Sequence, residues 1–508
     1  MSLRHVVSGL ALATALTSCT VGPDFKTPDP PNTDRYLPEE GPLSLVSAGI
    51  PGGEAQRVVG ELDIPGQWWS VFQSQPLNEL IDRSLKANPD IAAAVAGLQA
   101  ARQTARAQRA ALFPTVTAGG TAAQTQAPTV MSPPTADPTT WVYGLFTATL
   151  SITYAPDVWG GTRRAAESAE ALAEGQCFLL EAAYLSLASN VVAAAINEAS
   201  LRAQVQATQR IIAAQRETLA ILRGQSNLGA VSGADVASQE AALAQAEATL
   251  PPLDKALAQS RNLLTTLTGE LPSTRLIETF ELSDLKLPPE LPLSLPSKLV
   301  EQRPDIRAAE AGVHAAAAQV GVAVAAQLPN FNLLANIGSQ SLLLGSLFSA
   351  AVGPANSAIG GGFLGTLLDG GALQAKRRAA EASFEQSKAQ YRSAVLLAFR
   401  NVADTLRALE HDARLLKAAV DAERAAATSL QIARKRLELG DTTYVIVLLA
   451  EQAYLNAMLV RVQAQAGRLT DTAALYQALG GGWWNRGEPT NPAQRAVCKP
   501  PKPVVATK

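Results

Sequence analysis

Asn88-Pro89-Asp90-Ile91 is answered, 215 residues on, by Arg303-Pro304-Asp305-Ile306. Each quartet opens an alanine-rich run and suits a helix N-terminus. Proline lacks a donor the first turn cannot use, and aspartate complements the positive end of the helix dipole. Three further landmarks recur in the same order. Arg163-Arg164-Ala165-Ala166-Glu167 returns as Arg377-Arg378-Ala379-Ala380-Glu381 at an offset of 214. Leu228-Gly229 returns as Leu439-Gly440, and Leu267-Thr268-Gly269 as Ala478-Leu479-Gly480, both at 211. Four ordered landmarks at a nearly constant offset make the chain a tandem duplication.

Working outward from these landmarks, each half holds the same parts. A helical segment over 89–111, twin 305–327, ends at Leu112-Phe113-Pro114 or Leu328-Pro329. A hairpin-like region and a Gly-Gly turn follow, then a very long helix over 163–227 or 376–438. The first of these has 65 residues, roughly 100 Å of helix at 1.5 Å per residue. A tight turn, Asn227-Leu228-Gly229 or Glu438-Leu439-Gly440, leads to a returning helix over 233–268 or 442–478. The short and returning helices together nearly match the long one, so two pieces stacked end to end flank each long helix. Heptads run along the returning helices as Val236, Leu243, Leu250, Leu257, Leu264 and as Leu448, Leu455, Val462, Leu469, Tyr476. Such spacing demands a helical partner. Pro251-Pro252 is expected to kink or split the first returning helix.

Between the helices the period changes to two. Phe146, Ala148, Leu150, Ile152 and Tyr154 share one face, with Thr147, Thr149, Ser151 and Thr153 on the other. Thr115–Ala122 repeats the scheme, and Phe331, Leu333, Ala335 and Ile337 oppose Asn330, Asn332 and Asn336. The fourth candidate, Ile359–Leu368, is glycine-rich and less regular. Alternation also suits a water-soluble sheet with one wet face. The length of these strands, their exported chain and their connecting loops (127–141 and 341–357) favour a transmembrane barrel with apolar residues toward lipid. Four strands close no barrel, so the barrel must be shared between chains.

The N-terminus carries the export signal. Residues 1–18 hold Arg4, an apolar stretch Val6–Leu16, and then Leu16-Thr17-Ser18-Cys19, similar to the bacterial lipobox. Cys19 is the expected lipid anchor, and Thr20 after it favours the outer membrane. The Pro-rich stretch to Pro65 reads as an unpacked tether. No later run reaches 18 uninterrupted apolar residues; the nearest, Leu342–Ala355, contains Gly and Pro, so membrane crossing falls to strands. The expected divisions are 1–18 signal peptide, 19–65 tether, 66–287 first repeat, 288–485 second repeat and 486–508 tail. With 42 Lys+Arg against 44 Asp+Glu, there is no basic field for nucleic acid. Three cysteines exclude a disulfide-dense scaffold, and three histidines make a histidine-rich metal centre improbable.

The ordered set of motifs resembles the outer-membrane factors of tripartite efflux pumps, the TolC/OprM superfamily, and among them the NodT-type lipoproteins. The matching residues are Cys19-Thr20-Val21-Gly22-Pro23-Asp24-Phe25, Trp68-Trp69 with Phe72 and Leu77, the two quartets, Tyr154-Ala155-Pro156-Asp157-Val158-Trp159-Gly160, Leu367-Leu368-Asp369-Gly370-Gly371, and Gly480-Gly481-Gly482-Trp483. The resemblance implies a mainly α fold with β: duplicated long helical hairpins forming a periplasmic α-barrel, and four strands per chain in a trimeric β-barrel. An equatorial region is expected from 270–302 and the C-terminal stretch. The implied function is an exit duct passing drugs or other small solutes from an inner-membrane pump of the RND type, through a periplasmic adaptor, to the exterior. Implied too are a homotrimer, a palmitate-bearing outer-membrane lipoprotein, and no enzyme. A non-conducting periplasmic coiled-coil scaffold is the competing reading; lipid-facing strands speak against it.

By the same resemblance, Leu228, Gly229, Leu439 and Gly440 are tips that meet the adaptor. Asp441 and Asp235 are candidates for a carboxylate ring at a gate, with Tyr444 as a bulky neighbour. Asp441 also suits a simple helix cap. Gly360-Gly361-Gly362-Phe363-Leu364-Gly365 matches a dinucleotide fingerprint, but its glycines fill a strand candidate, and no helix opens at them. No catalytic, cofactor or metal residues are assigned. His314 and His411 read as solvated or polar-packed, and Cys177 as a small core residue. Cys498 reads as a free thiol of the Pro/Lys-rich tail; pairing with Cys177 has no support from sequence. Trp483-Trp484 suits equatorial packing better than a membrane anchor.

Overall fold

A computed structural model describes residues 20–38, 44–127, 141–274, 276–348 and 356–486. Cys19, the signal segment, Cys498, the loop between β3 and β4 and half of that between β6 and β7 lie outside the described residues. The elements in order are β1 (Ser44–Leu45), β2 (Gln56–Gly60), α1 (Gln75–Ala87), α2 (Pro89–Ala110), β3 (Thr115–Ala127), β4 (Trp141–Tyr154), α3 (Gly161–Asn227) and α4 (Gly233–Leu267). They continue as β5 (Glu290–Leu293), α5 (Pro296–Gln302), α6 (Pro304–Ala325), β6 (Asn330–Ser341), β7 (Asn356–Leu364), α7 (Ala372–Glu438) and α8 (Tyr444–Ala478). The duplication is visible in lengths: α2 and α6 have 22 residues each, α3 and α7 have 67, and α4 and α8 have 35.

Two compact units divide the chain. The first comprises residues up to 27, 99–174 and 310–390, and holds all four long strands. They form one antiparallel sheet in the order β3-β4-β6-β7. Here too Asp157 opens α3, accepting from the backbone N–H of Thr162 at 3.0 Å and of Arg163 at 2.8 Å. Its counterpart Asp369 opens α7 from the N–H groups of Gly371 and Leu373, which hold its carboxyl below the usual range. Thr20–Phe25 is packed in this unit. The N–H of Val21 donates to Trp159, Phe25 stacks on His314 at 4.4 Å, and His314 Nε2 lies 2.9 Å from Glu167. His314 is thus polar-packed, as its surroundings in sequence suggest.

The second unit comprises 28–98, 175–309 and residues from 391. Its core gathers Trp68, Trp69, Phe72, Leu77, Leu80 and Trp483, several of them residues that carried the family resemblance. Trp68 stacks on Tyr476 at 5.6 Å. The heptad of α8 is buried at Leu455, Val462, Leu469 and Tyr476, whereas that of α4 is fully buried only at Leu264. A small sheet, β1-β2-β5, pairs β2 in parallel with β5 and β1 antiparallel with β2.

One expectation needs correction, and two others gain detail. The stretch before Pro65 is not an unpacked tether throughout: β1 and β2 lie within it, and buried Arg468 donates to the carbonyls of Val46 and Glu54 and to Gln56. That arginine supplies partners a Pro-rich sequence does not advertise. Of the kink or split expected at Pro251-Pro252, the split does not occur: α4 runs through both prolines. Both prolines are exposed, and the two carbonyls left without N–H donors belong to half-buried Glu247 and exposed Ala248. By length and composition alone α3, α6 and α8 are also apolar enough to cross a membrane, which leaves the expectation of crossing by strands unchanged. Alanine raises their mean hydropathy while polar residues interrupt every run.

Candidate channel wall and gate

The strand registers carry the sorting of side chains across the whole sheet. Val116 pairs with Ile152, Ala118 with Leu150 and Ala122 with Phe146. On the same face Ile152 pairs with Ala335, Leu150 with Ile337, and Tyr154 with Leu333; β7 extends it through Ile359 and Phe363. Thr117, Ser151 and Asn336 line up on the opposite face, as do Thr121, Thr147 and Gln340. Apolar side chains on this first face are open to varying degrees: Ile359 is 91% exposed, and Phe363, which meets Phe331 on the next strand, is 74%. An apolar face that large on an exported chain needs lipid or another protein against it. The glycine fingerprint lies within this sheet, as Gly360, Gly361 and Gly362 of β7. Phe363 of the same run pairs with Phe331, and α7 opens only at Ala372, so the arrangement is not that of a dinucleotide turn.

The hairpin tips repeat one geometry. In the first, the N–H of Ala230 reaches the carbonyl of Gln225 at 2.9 Å and that of Gly229 reaches Ser226 at 2.9 Å. In the second, Asp441 reaches Arg436 at 2.9 Å and Gly440 reaches Leu437 at 3.0 Å. Both are Schellman closures, which need a left-handed residue, and Gly229 (φ 75°) and Gly440 (φ 72°) supply it. Leu228 and Leu439 project into solvent, 86% and 72% exposed.

The candidate gate residues have distinct surroundings. Asp235 closes a capping box with Ser232, whose hydroxyl lies 2.7 Å from its carboxylate. Asp441 is not the cap of α8, since Thr443 occupies that position. Its carboxylate instead accepts from Arg436 Nε at 2.9 Å, with both side chains more than half exposed. Tyr444 is buried, and its hydroxyl donates to Gln239 Oε1 at 2.7 Å, while Gln239 Nε2 donates to the carbonyl of Gln215. Burial pushes the Tyr444 phenol up, so it remains a donor. Asp235, one helical turn before Gln239, and Tyr444 thus belong to neighbouring first turns of α4 and α8. Sequence reading missed Gln239 and Arg436. The spacing of Arg436 and Asp441 across a glycine turn was the available signal for one; nothing local marked the other.

Nearer the middle of the second unit, Glu198 is fully buried and holds Arg202, Arg261 at 2.9 Å and the N–H of Phe280 at 3.2 Å. Arg261 also donates to the carbonyl of Leu276 at 2.6 Å. This cluster ties α3, α4 and the segment after α4 together. Among the described residues no group of three or more His, Cys, Asp or Glu is placed to hold a metal ion.

A duplicated pair of long helical hairpins, joined to a four-stranded sheet with one apolar face, defines a subunit of an outer-membrane channel. The chain belongs to the family of outer membrane efflux proteins, whose sequence model matches residues 80–270 and 295–481. It is 28% identical over 508 residues to the probable efflux pump outer membrane protein TtgC of Pseudomonas putida, covering 98% of this chain and 99% of that one. It is likewise 28% identical over 489 residues to the pyoverdine export outer membrane protein OpmQ of the same species, covering 95% and 98%. Among solved structures, the outer-membrane channel OprN superposes with a TM-score of 0.79 at 26% identity, over 92% of this chain and 100% of that one. The open state of the MtrE channel of Neisseria gonorrhoeae gives 0.77 at 26% identity, over 92% and 99%. The protein is therefore an outer-membrane efflux channel component, with its strands in the membrane and its helices on the periplasmic side. The three apolar-enough helices are accordingly periplasmic.

Proposed function

We propose that three copies of this chain form one exit duct, each giving four strands to a twelve-stranded barrel. The supporting observation is the sheet: among the described residues β3 and β7 each have one edge without a strand partner, and one face carries exposed apolar side chains. Edges of that length are closed by another strand or become sites of aggregation. Cys19 is the lipid anchor, bearing palmitate among its acyl chains, and holds the N-terminus at the membrane. The tips at Leu228, Gly229, Leu439 and Gly440 dock on a periplasmic adaptor, which links the duct to an inner-membrane pump of the RND type. The solutes are drugs or other small molecules, a class consistent with the efflux and pyoverdine-export names of TtgC and OpmQ. Asp441, Asp235 and Tyr444 form the gate region. In the geometry described, Tyr444 is engaged with Gln239 and Asp441 with Arg436, an arrangement suited to a held tip.

The test is native mass spectrometry of the detergent-extracted protein, followed by conductance in planar bilayers. Three chains per particle and discrete channel steps are expected. A stable monomer without conductance would overturn the duct in favour of a non-conducting scaffold.

A further inference from the structure

The apolar face of β6 ends before the strand does. Leu333, Ala335 and Ile337 carry it, and alternation then puts Ser339 and Ser341 on the same side, paired across with Ala148 and Phe146 of β4. A hydroxyl set against hydrocarbon without a partner is costly. Both serines have partners, and these belong to the segment that follows the strand. Ser339 Oγ donates to the carbonyl of Leu347 at 2.7 Å, and Ser341 Oγ lies 2.8 Å from Ser346 Oγ. Ser341 Oγ also accepts from the N–H of Leu343 at 3.2 Å. Since both hydroxyls stand on the apolar face, the segment folds back over that face and not over the polar one.

The segment satisfies polar groups of its own backbone. In a single 3-10 turn over Leu344–Ser346, the N–H groups of Ser346 and Leu347 donate to the carbonyls of Leu343 and Leu344. Ser346 Oγ donates to the carbonyl of Leu343 as well, at 3.1 Å. The large side chains go the other way: Leu343 is 70% exposed, Leu344 64% and Phe348 85%, while Leu347 is buried. No charged residue lies between 339 and 348. Hydrogen bonds turned inward and leucines turned outward suit a lipid boundary, where unsatisfied backbone is costly and apolar side chains are not. The height agrees. From Phe331 to Ser341 the strand runs about 33 Å, or about 25 Å of height at the usual barrel tilt, which is the thickness of the apolar band of such barrels. With the helices on the periplasmic side, the segment stands at the outer edge of that band.

We propose that residues 342–348 form a lipid-seated rim, in which Leu343, Leu344 and Phe348 enter the acyl chains of the outer leaflet beside the headgroups. The rim carries the apolar face on beyond the point where β6 itself turns polar. Its surface is continuous with the strand face turned to lipid, which makes lipid its occupant in preference to a second copy of the chain; the inference rests on the barrel proposed above. Ser339 and Ser341 are positioning residues that hold the rim against the strand. A segment of this kind gains from apolar area placed at the acyl–headgroup boundary, as interfacial helices do.

Photolabelling of the full-length protein in phosphatidylcholine vesicles tests this. Two phospholipid probes are used, one with a diazirine near the ester end of an acyl chain and one near its methyl end, and adducts are located by fragment mass spectrometry. The shallow probe should label Leu343, Leu344 or Phe348, and the deep probe Leu150 and Ile337. Deep labelling with no adduct on 342–348 would mean that water or a second copy covers the segment; it would overturn the rim and leave the barrel standing. No adduct at either place would overturn the barrel reading itself. In the double variant Ser339→Ala, Ser341→Ala, shallow labelling of the segment should fall several-fold, while deep labelling of Leu150 persists and reports an intact sheet. Undiminished shallow labelling in that variant would show that the serines do not place the segment, and the fold-back would fall with them.

Discussion

The side-chain amide of Asn88 donates to the backbone carbonyl of Leu267 at 3.1 Å, joining the start of α2 to the end of α4. The second repeat has the same joint from a different residue: Arg303 Nη1 donates to the carbonyl of Ala478 at 2.8 Å. A short and a returning helix thus meet end to end, where orphan carbonyls of one need donors from the other. A glycine seals each joint. A β-carbon on Gly269 would stand 2.4 Å from the carbonyl oxygen of Ala87, and one on Gly480 would stand 2.7 Å from that of Gln302.

Both glycines are also left-handed, with φ of 77° and 94°. Gly269→Ala and Gly480→Ala therefore combine backbone strain with a clash against main chain, and each is expected to destabilise by about 2–4 kcal/mol. Thermal unfolding of the purified protein measures this. Unchanged melting for both would show that the joints tolerate displacement and do not fix the stacking. Gly233 has open space around its β position and serves as the control for glycine loss as such.

Leu150 sits in the middle of the apolar face, paired with Ala118 on one side and Ile337 on the other. Leu150→Lys should cost about 2–4 kcal/mol per chain if this face meets the hydrocarbon midplane. Heat-stable oligomer recovered from outer membranes should fall sharply, while Thr149→Lys on the opposite face is tolerated. Equal recovery of both variants would mean that the face is covered by protein.

The joints also show how far the sequence could be read. The quartets, glycine turns and period-two strands are local signals, and they located every long helix to within about four residues and the four long strands to within about five, but none of the short strands β1, β2 and β5. What escaped depends on contacts distant in sequence. The packing of β1 and β2 is fixed by Arg468, more than 400 residues away, and no pattern within 19–65 announces it. Tyr444 was legible as a bulky tip residue, but its engagement by Gln239 requires two hairpins to be side by side. Cys177 looked like a core residue and is one, buried beside Leu98, Phe178 and Trp483.

Arg436 neutralises Asp441 within each chain, so a ring of these carboxylates would present little net charge. Arg436→Ala would bare it. The ratio of cation to anion permeability in bilayers should rise several-fold at low salt and fall back at high salt, because the groups are exposed and screened. Asp441→Ala should abolish the rise in the double variant. Permeability ratios unaffected by either change would place Asp441 away from the conducting path.

Glu198 is the only acid held by Arg202, Arg261 and a backbone N–H together among the described residues. Glu198→Gln leaves two guanidinium groups short of their counter-charge, and a loss of about 3–5 kcal/mol is expected. Denaturant unfolding of the purified protein reads it. A change within experimental error would show that water enters and compensates the arginines.

Asp471 on α8 hydrogen-bonds to Asp412 on α7, and burial together with that second carboxyl pushes its pKa up to about 7. In the unfolded chain an aspartate titrates near 4, so between about pH 4 and pH 7 the folded protein binds more protons than the unfolded one. Stability from this group is therefore full below about pH 4 and declines as pH rises through 7, the reverse of an ordinary salt-bridged carboxylate. Asp471 remains partly open to solvent, which screens the effect, so the decline is expected to be about 1–2 kcal/mol. Asp471→Asn keeps the hydrogen bond without the ionisation. It should raise the melting temperature relative to wild type at pH 8 and leave the two proteins alike near pH 4. Parallel melting curves across that range would mean that the pair is separated, or hydrated, in the assembled protein.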